Sequence, residues 1–231
     1  MFTTVQAFTV NEPKLHCLIL IAVLAVSAGS VNAQPYDRAW TFCLLKPEQS
    51  TDVTKDCNAV IDSGKASATE KAIALNNRGV DAKTPESAGR DFDEAIKLAP
   101  TIAKIYNNRG TNRLATPELA IEDYTAAIRI DPNYAVAYTS RGEAYQLMGK
   151  HDEAIRDFDQ AIKLAPQYMH AMYNPYFSRA FSKEAKGDIK GAEADRAFSL
   201  KFMGSKSSEG AAGYKSPNAR GARAWEPWVT K

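Results

Sequence analysis

Short blocks of this chain recur at intervals of about 31 and 32 residues, as Asn76-Asn77-Arg78-Gly79, Asn107-Asn108-Arg109-Gly110 and Thr139-Ser140-Arg141-Gly142. A second block follows each of them. These are Asp91 to Pro100 (DFDEAIKLAP), Asp123 to Pro132 (DYTAAIRIDP) and Asp157 to Pro166 (DFDQAIKLAP). A looser fourth copy runs through Ser178-Arg179-Ala180 and Ala192 to Leu200. Each copy shows helical spacing twice with a break between. In the clearest, Ala135, Tyr138, Gly142 and Tyr145 share one helix face, and Ala154, Phe158 and Ala161 share the next. Gly149 ends the first helix and Pro166 stops the second. A single helix pair of this kind cannot bury its own apolar face, so the copies must stack.

These residues resemble the tetratricopeptide repeat, a helix pair of about 34 residues with Gly, Tyr, Ala, aromatic, Ala and Pro at fixed intervals. The third copy carries the pattern at Tyr138, Gly142, Tyr145, Ala154, Phe158, Ala161 and Pro166. The second carries it at Tyr106, Gly110, Ala120, Tyr124, Ala127 and Pro132, with a shorter turn at Thr116-Pro117. The first keeps Gly79, Ala88, Phe92, Ala95 and Pro100. The resemblance implies an all-α fold, a right-handed superhelix (α-solenoid) of about three to four helix pairs. It also implies protein or peptide binding on the concave face. With the leader and cysteine hairpin described next, the chain looks like exported bacterial proteins of this family.

The N-terminus reads as a secretory leader. Lys14 and His16 precede the apolar run Cys17 to Ala28, and Val31 and Ala33 frame a cleavage position ahead of Gln34. The run is short of the roughly 20 apolar residues that span a bilayer, so no membrane span is expected after cleavage. An uncleaved tether is the alternative. Removal leaves Cys43 and Cys57, an even pair in an oxidising compartment. Asp37 to Leu45 and Ser50 to Ile61 have the look of two short helices around Lys46-Pro47. Such a hairpin brings the two thiols within disulfide range; two buried free thiols are the alternative.

Arginine stands just before the glycine of each copy, at Arg78, Arg109, Arg141 and Arg179, where the family usually has Leu. Each second helix supplies an aspartate, at Asp91, Asp123, Asp157 and Asp195. A guanidinium in a packing layer is costly unless a carboxylate meets it, and its planar fork fits one in two places. A structural ladder of Arg–Asp pairs is expected. Arginines aimed at an anionic ligand are the alternative.

In stacked pairs the first helices line the concave surface. The ligand-facing candidates there are Asn76, Val80, Lys104, Asn107, Thr111, Val136, Thr139, Glu143 and Gln146. Some family members clamp a C-terminal carboxylate with Lys, Asn and Arg. Asn108 fits one of those places, but Asn76, Val80, Val136 and Ser140 hold others, so that clamp is not expected here. The fourth unit carries about four extra residues around Asn174-Pro175-Tyr176-Phe177, and a proline inside a helix should kink or break it. The apolar cluster Tyr168, Met169, Met172, Tyr173, Tyr176 and Phe177 suits a terminal cap, or a docking patch. Past Met203 the composition turns to Gly, Ser, Ala and Lys, then Trp225 and Trp228 follow. They read as a docking peptide in cis or in trans, or as incidental aromatics.

The chain then divides into a leader (1–33), a helical hairpin cap (34–68), a solenoid (69–203, units about 72–100, 101–132, 133–166 and 167–203) and a basic tail (204–231). The formal net charge of +2 calls for no nucleic acid. No phosphate loop, nucleophile elbow or metal-ligand spacing is present, and His151 and His170 lack catalytic company. The sequence therefore predicts no enzyme, no cofactor and no metal. It predicts an interaction scaffold, periplasmic or secreted, with an accessory or regulatory subunit of an envelope assembly as the alternative. An enzyme with an unrecognised site is the remote one.

Overall fold

The computed structural model describes residues 35–166 and 174–204. Contacts divide the chain into two bodies, Met1–Pro35 and Tyr36–Lys231. The leader, the residues from Tyr168 to Tyr173 with His170, and the Trp225/Trp228 tail lie outside the described residues.

Every described element is helical. Helix α1 (Pro35–Trp40) runs into a π-helical turn (Thr41–Leu45) and a 3-10 turn (Pro47–Gln49), and α2 covers Val53–Asp62. The four pairs follow as α3 (Ala68–Asp81) with α4 (Pro85–Leu98), α5 (Ala103–Asn112) with α6 (Pro117–Ile130), α7 (Ala135–Leu147) with α8 (His151–Leu164), and α9 (Pro175–Ala185) with α10 (Ile189–Gly204). Local chemistry sets the boundaries. Ser67 caps α3 in a reciprocal capping box with Glu70, so the first pair begins four residues earlier than the expected 72. Thr84 caps α4, whose first turn holds Pro85. Gly149 ends α7 at a φ of +70°, the left-handed conformation that glycine tolerates best.

Pro175 does not interrupt a helix. It opens α9, a position whose missing N–H costs nothing because the first turn has no intrahelical partner. Asn174 caps that start, its side chain accepting from the amides of Tyr176 at 3.1 Å and Phe177 at 3.3 Å. Its Nδ2 donates to Ser199 Oγ at 2.6 Å, which ties the entry of α9 to α10. The first helix of the fourth unit therefore begins at Pro175 itself.

Each helix packs on its neighbour in sequence, and the first helices of successive pairs also meet, α3 with α5, α5 with α7 and α7 with α9. This is the packing of an α-solenoid, with the first helices on the inner face. Small residues permit the close approach. Ala72, Ala95, Ala120, Ala127, Ala144 and Ala154 are fully buried, and Phe92, Tyr124 and Phe158 fill the space that they leave. Each ring lies on a glycine of the first helix. A Cβ built at Gly79, Gly110 or Gly142 would stand 2.9, 2.7 and 2.7 Å from the ring atoms of Phe92, Tyr124 and Phe158.

Candidate functional site: the inner face and its groove

All four ladder arginines engage carboxylates. In the third unit Arg141 Nε donates to Asp157 Oδ2 and Nη2 to Oδ1, both at 2.8 Å. The same two-point contact joins Arg78 to Asp91, Arg109 to Asp123 and Arg179 to Asp195. The third guanidinium nitrogen reaches back to the second helix of the preceding unit. Nη1 of Arg109 donates to Asp93 at 2.7 Å and that of Arg179 to Asp159 at 2.5 Å. Arg141 finds only the Thr125 hydroxyl there, at 3.1 Å, and its guanidinium lies over the rings of Tyr138 and Tyr145. Each arginine thus closes its own helix pair and fixes the register to the one before. The residues two after each aspartate (Asp93, Thr125, Asp159) belong to this ladder as well. Their spacing repeats in the sequence, but only the packing shows what they face.

A second line of polar contacts runs between the first helices. Asn108 Nδ2 donates to Asn76 Oδ1 at 2.9 Å, Asn76 Nδ2 to Asn77 Oδ1 at 3.0 Å, and Asn77 Nδ2 to the Cys43 carbonyl at 2.7 Å. The line stops at the third unit. Asn107 stands where Asn76 stands in the first unit, yet its buried Oδ1 has no hydrogen-bond partner. In the next unit the place of Asn108, the residue that reaches back, is held by Ser140, whose short side chain carries no amide.

Three of the expected ligand-facing residues are consequently misplaced. Asn76, Asn107 and Thr139 are 0%, 2% and 3% exposed. They lie between helices because the first helices pack directly on one another, and Thr139 Oγ1 turns back to its own helix at the Ala135 carbonyl. Val80 is half-buried against the first unit's core. Gln146 is spent on α9, donating to the Ser178 carbonyl at 2.6 Å and to Ser182 Oγ at 2.7 Å. Thr111 is exposed, and Lys104 lines a groove.

Glu143 sits in the α7–α9 junction. Burial pushes its carboxyl up to about 7, against the one hydrogen bond from Ser178 Oγ at 3.3 Å that favours the charged form. In solution the unfolded chain releases this proton near pH 4.5, while the folded chain keeps it to about pH 7. The junction's stability is therefore greatest below the lower value, falls as pH climbs between the two, and levels off above. Glu143→Gln should flatten that slope, removing on the order of 2 kcal/mol of the difference between pH 5 and pH 8. Thermal melts of the two proteins at both pH values measure it, and an unchanged slope would refute the assignment.

The groove was not legible in the sequence. It is an open depression of about 390 Å³ lined by Ile73 of α3, Thr101 to Lys104 at the start of α5, Ile130 and Asp131 at the end of α6, and Tyr134 just before α7. Three consecutive units contribute to it. Its walls are mostly apolar, with Lys104 and Asp131 supplying opposite charges. A second apolar region lies on α9, where Phe177 and Phe181, four residues apart on one face, are exposed. Among the described residues no group of three or more His, Cys, Asp or Glu is placed to hold a metal ion, and no helix is long and apolar enough to cross a membrane.

The family profile described as "Tetratricopeptide repeat" matches residues 135–168, and that described as "TPR repeat" matches residues 118–149. Residues 118–168 are tetratricopeptide repeats. No curated protein matches the chain. Among solved structures, a crystal structure of MamA aligns with a TM-score of 0.58 at 25% identity, covering 70% of this chain and 94% of that one. A second MamA crystal structure aligns at 0.57 and 21% identity, covering 79% and 100%. A third, MamA AMB-1, aligns at 0.58 and 16%, covering 74% and 99%. The structural likeness thus spans more of the chain than the two profile matches do. Repeats of this kind form protein–protein interaction scaffolds.

Proposed function

We propose that this protein is a non-enzymatic scaffold of the bacterial envelope that holds a peptide segment of a partner in the groove between Ile73, Ile102, Ile130 and Tyr134. The groove carries this reading. It lies along the turns that lead from one unit to the next, it is assembled from three repeats, and its apolar walls with flanking Lys104 and Asp131 suit a bulky apolar side chain on a polar backbone. The envelope location rests on the apolar run Cys17 to Ala28, the small residues up to Ala33, and a cysteine pair suited to an oxidising compartment.

Panning of a random peptide library against the full chain tests the reading. Bound peptides should share a large apolar residue, and Ile73→Asp and Tyr134→Asp should each weaken them by about tenfold or more without loss of helicity. Peptides that bind both variants as well as the parent would rule the groove out. Exposed Phe177 and Phe181 favour a second reading, an accessory subunit with one obligate partner seated on α9. Loss of partner capture from an envelope extract by Phe181→Asp, with the groove variants intact, would select it.

A further inference from the structure

The hairpin ahead of the repeats follows the repeat's own pattern. Asp56-Cys57-Asn58 of α2 falls in register with Asp91-Phe92-Asp93, Asp123-Tyr124-Thr125 and Asp157-Phe158-Asp159. Arg78 Nη1 donates to Asn58 Oδ1 at 2.6 Å, as Arg109 does to Asp93 and Arg179 to Asp159. Asn77 leans on the Cys43 carbonyl as Asn108 leans on Asn76. Where each repeat presses an aromatic ring of its second helix onto a glycine of its first, the hairpin joins Cys57 of α2 to Cys43 of the preceding turn through a disulfide.

This hairpin is in physical contact with the groove. Its core of Ala39, Cys43, Leu44, Val53, Cys57, Val60 and Ala74 has Ile73 packed against it, and Ile73 is the groove wall contributed by α3. Without the crosslink, that core rests on Leu44, Val53 and Val60 with a few alanine-sized neighbours on short helical segments, little apolar area to hold its own shape.

We propose that the hairpin is a covalently closed repeat unit whose disulfide acts as a maturation latch, ordering the Ile73 wall and so making the groove competent to bind. The inference rests on the groove being the ligand site, although its first readout needs no ligand. In the closing step Cys43 and Cys57 lose two protons and two electrons to the disulfide of a thiol–disulfide exchange oxidant, which leaves as the dithiol. Both cysteines are fully buried once joined, so an external thiol has no line of attack. The device therefore closes once, on export, and does not cycle. Repeats made in a reducing compartment would hold their second to fourth units but present an incomplete groove.

Hydrogen exchange read by mass spectrometry on the full chain tests this. The oxidised parent is compared with Cys43→Ser/Cys57→Ser and with Cys43→Ala/Cys57→Val, which restores apolar packing without the bond. In both variants, exchange across 68–76 and 101–104 should rise by about tenfold or more, while 151–164 keeps its protection. Parent-like exchange across 68–76 in either variant would overturn the latch, because packing alone would then suffice. Loss of protection throughout 151–164 would overturn it too, since the hairpin would not be separable from the array. A library-selected peptide should bind the parent about tenfold or more tightly than the serine variant. If no peptide binds even the parent, the groove reading fails while the exchange data still decide the latch.

Discussion

Arg141→Ala should destabilise the protein by about 3–5 kcal/mol, the usual cost of leaving one partner of a buried ion pair alone. Its carboxylate partner, Asp157, has a side chain only 8% exposed and receives both oxygens' hydrogen bonds from this one guanidinium. Two sister positions are cushioned. Asp123 also faces Arg113 at 3.2 Å, and Asp195 also faces Lys183 at 2.9 Å. Arg109→Ala and Arg179→Ala should therefore cost less than Arg141→Ala. Arg141 is further distinguished by the two tyrosine rings beside it, so its truncation removes packing as well as charge. Urea denaturation of the three alanine variants gives the ranking. A cost for Arg141→Ala below about 1 kcal/mol, the range of exposed pairs, would show that the ladder is ornamental to the fold. The double variant Arg141→Met/Asp157→Leu should recover much of the loss, since apolar replacement of a buried pair is frequently neutral or better.

Phe158→Ala is expected to cost about 3–5 kcal/mol, as for other fully buried aromatic residues. Gly142→Ala should cost about 1–3 kcal/mol by overpacking, because its new Cβ would meet the Phe158 ring at 2.7 Å and the ring is held by the α7–α8 packing. Combined, the two changes should be less damaging than their sum. The methyl group occupies part of the space that the ring vacates, so the coupling is favourable and on the order of 1 kcal/mol. Strict additivity in chemical denaturation would mean that the ring already moves aside for a Cβ, and that glycine is not what permits the contact.

The repeat itself was readable in the chain because its signal is chemical and periodic. Gly142, Phe158, Ala154 and Ala161 are spaced so that only a close helix pair uses them all, and the recurrence removes doubt about where each pair begins. The Arg–Asp pairing was readable for a similar reason. A guanidinium where a leucine would pack leaves a single economical solution, and that solution recurs four times. Pro175 was misread because its sequence position was measured from the preceding repeat, and the extra residues displaced the start of α9 beneath it.

The inner face was much less legible. Sequence spacing places Asn76, Asn107 and Thr139 on the first helices, but it contains no information about how closely those helices approach. At the observed approach these side chains are buried, Glu143 becomes a carboxyl held near neutrality, and Gln146 becomes a tie to α9. The groove is the reverse case. Ile73, Ile102, Ile130 and Tyr134 belong to three units and share no periodic position, so no local pattern marks them as neighbours. The chain by itself determined a stack of helix pairs and the ladder that sets their register, since both follow from side chains one repeat apart. Which of its residues stay exposed was decided by the tertiary structure alone, because exposure depends on the distance between helices that are separated by a whole repeat.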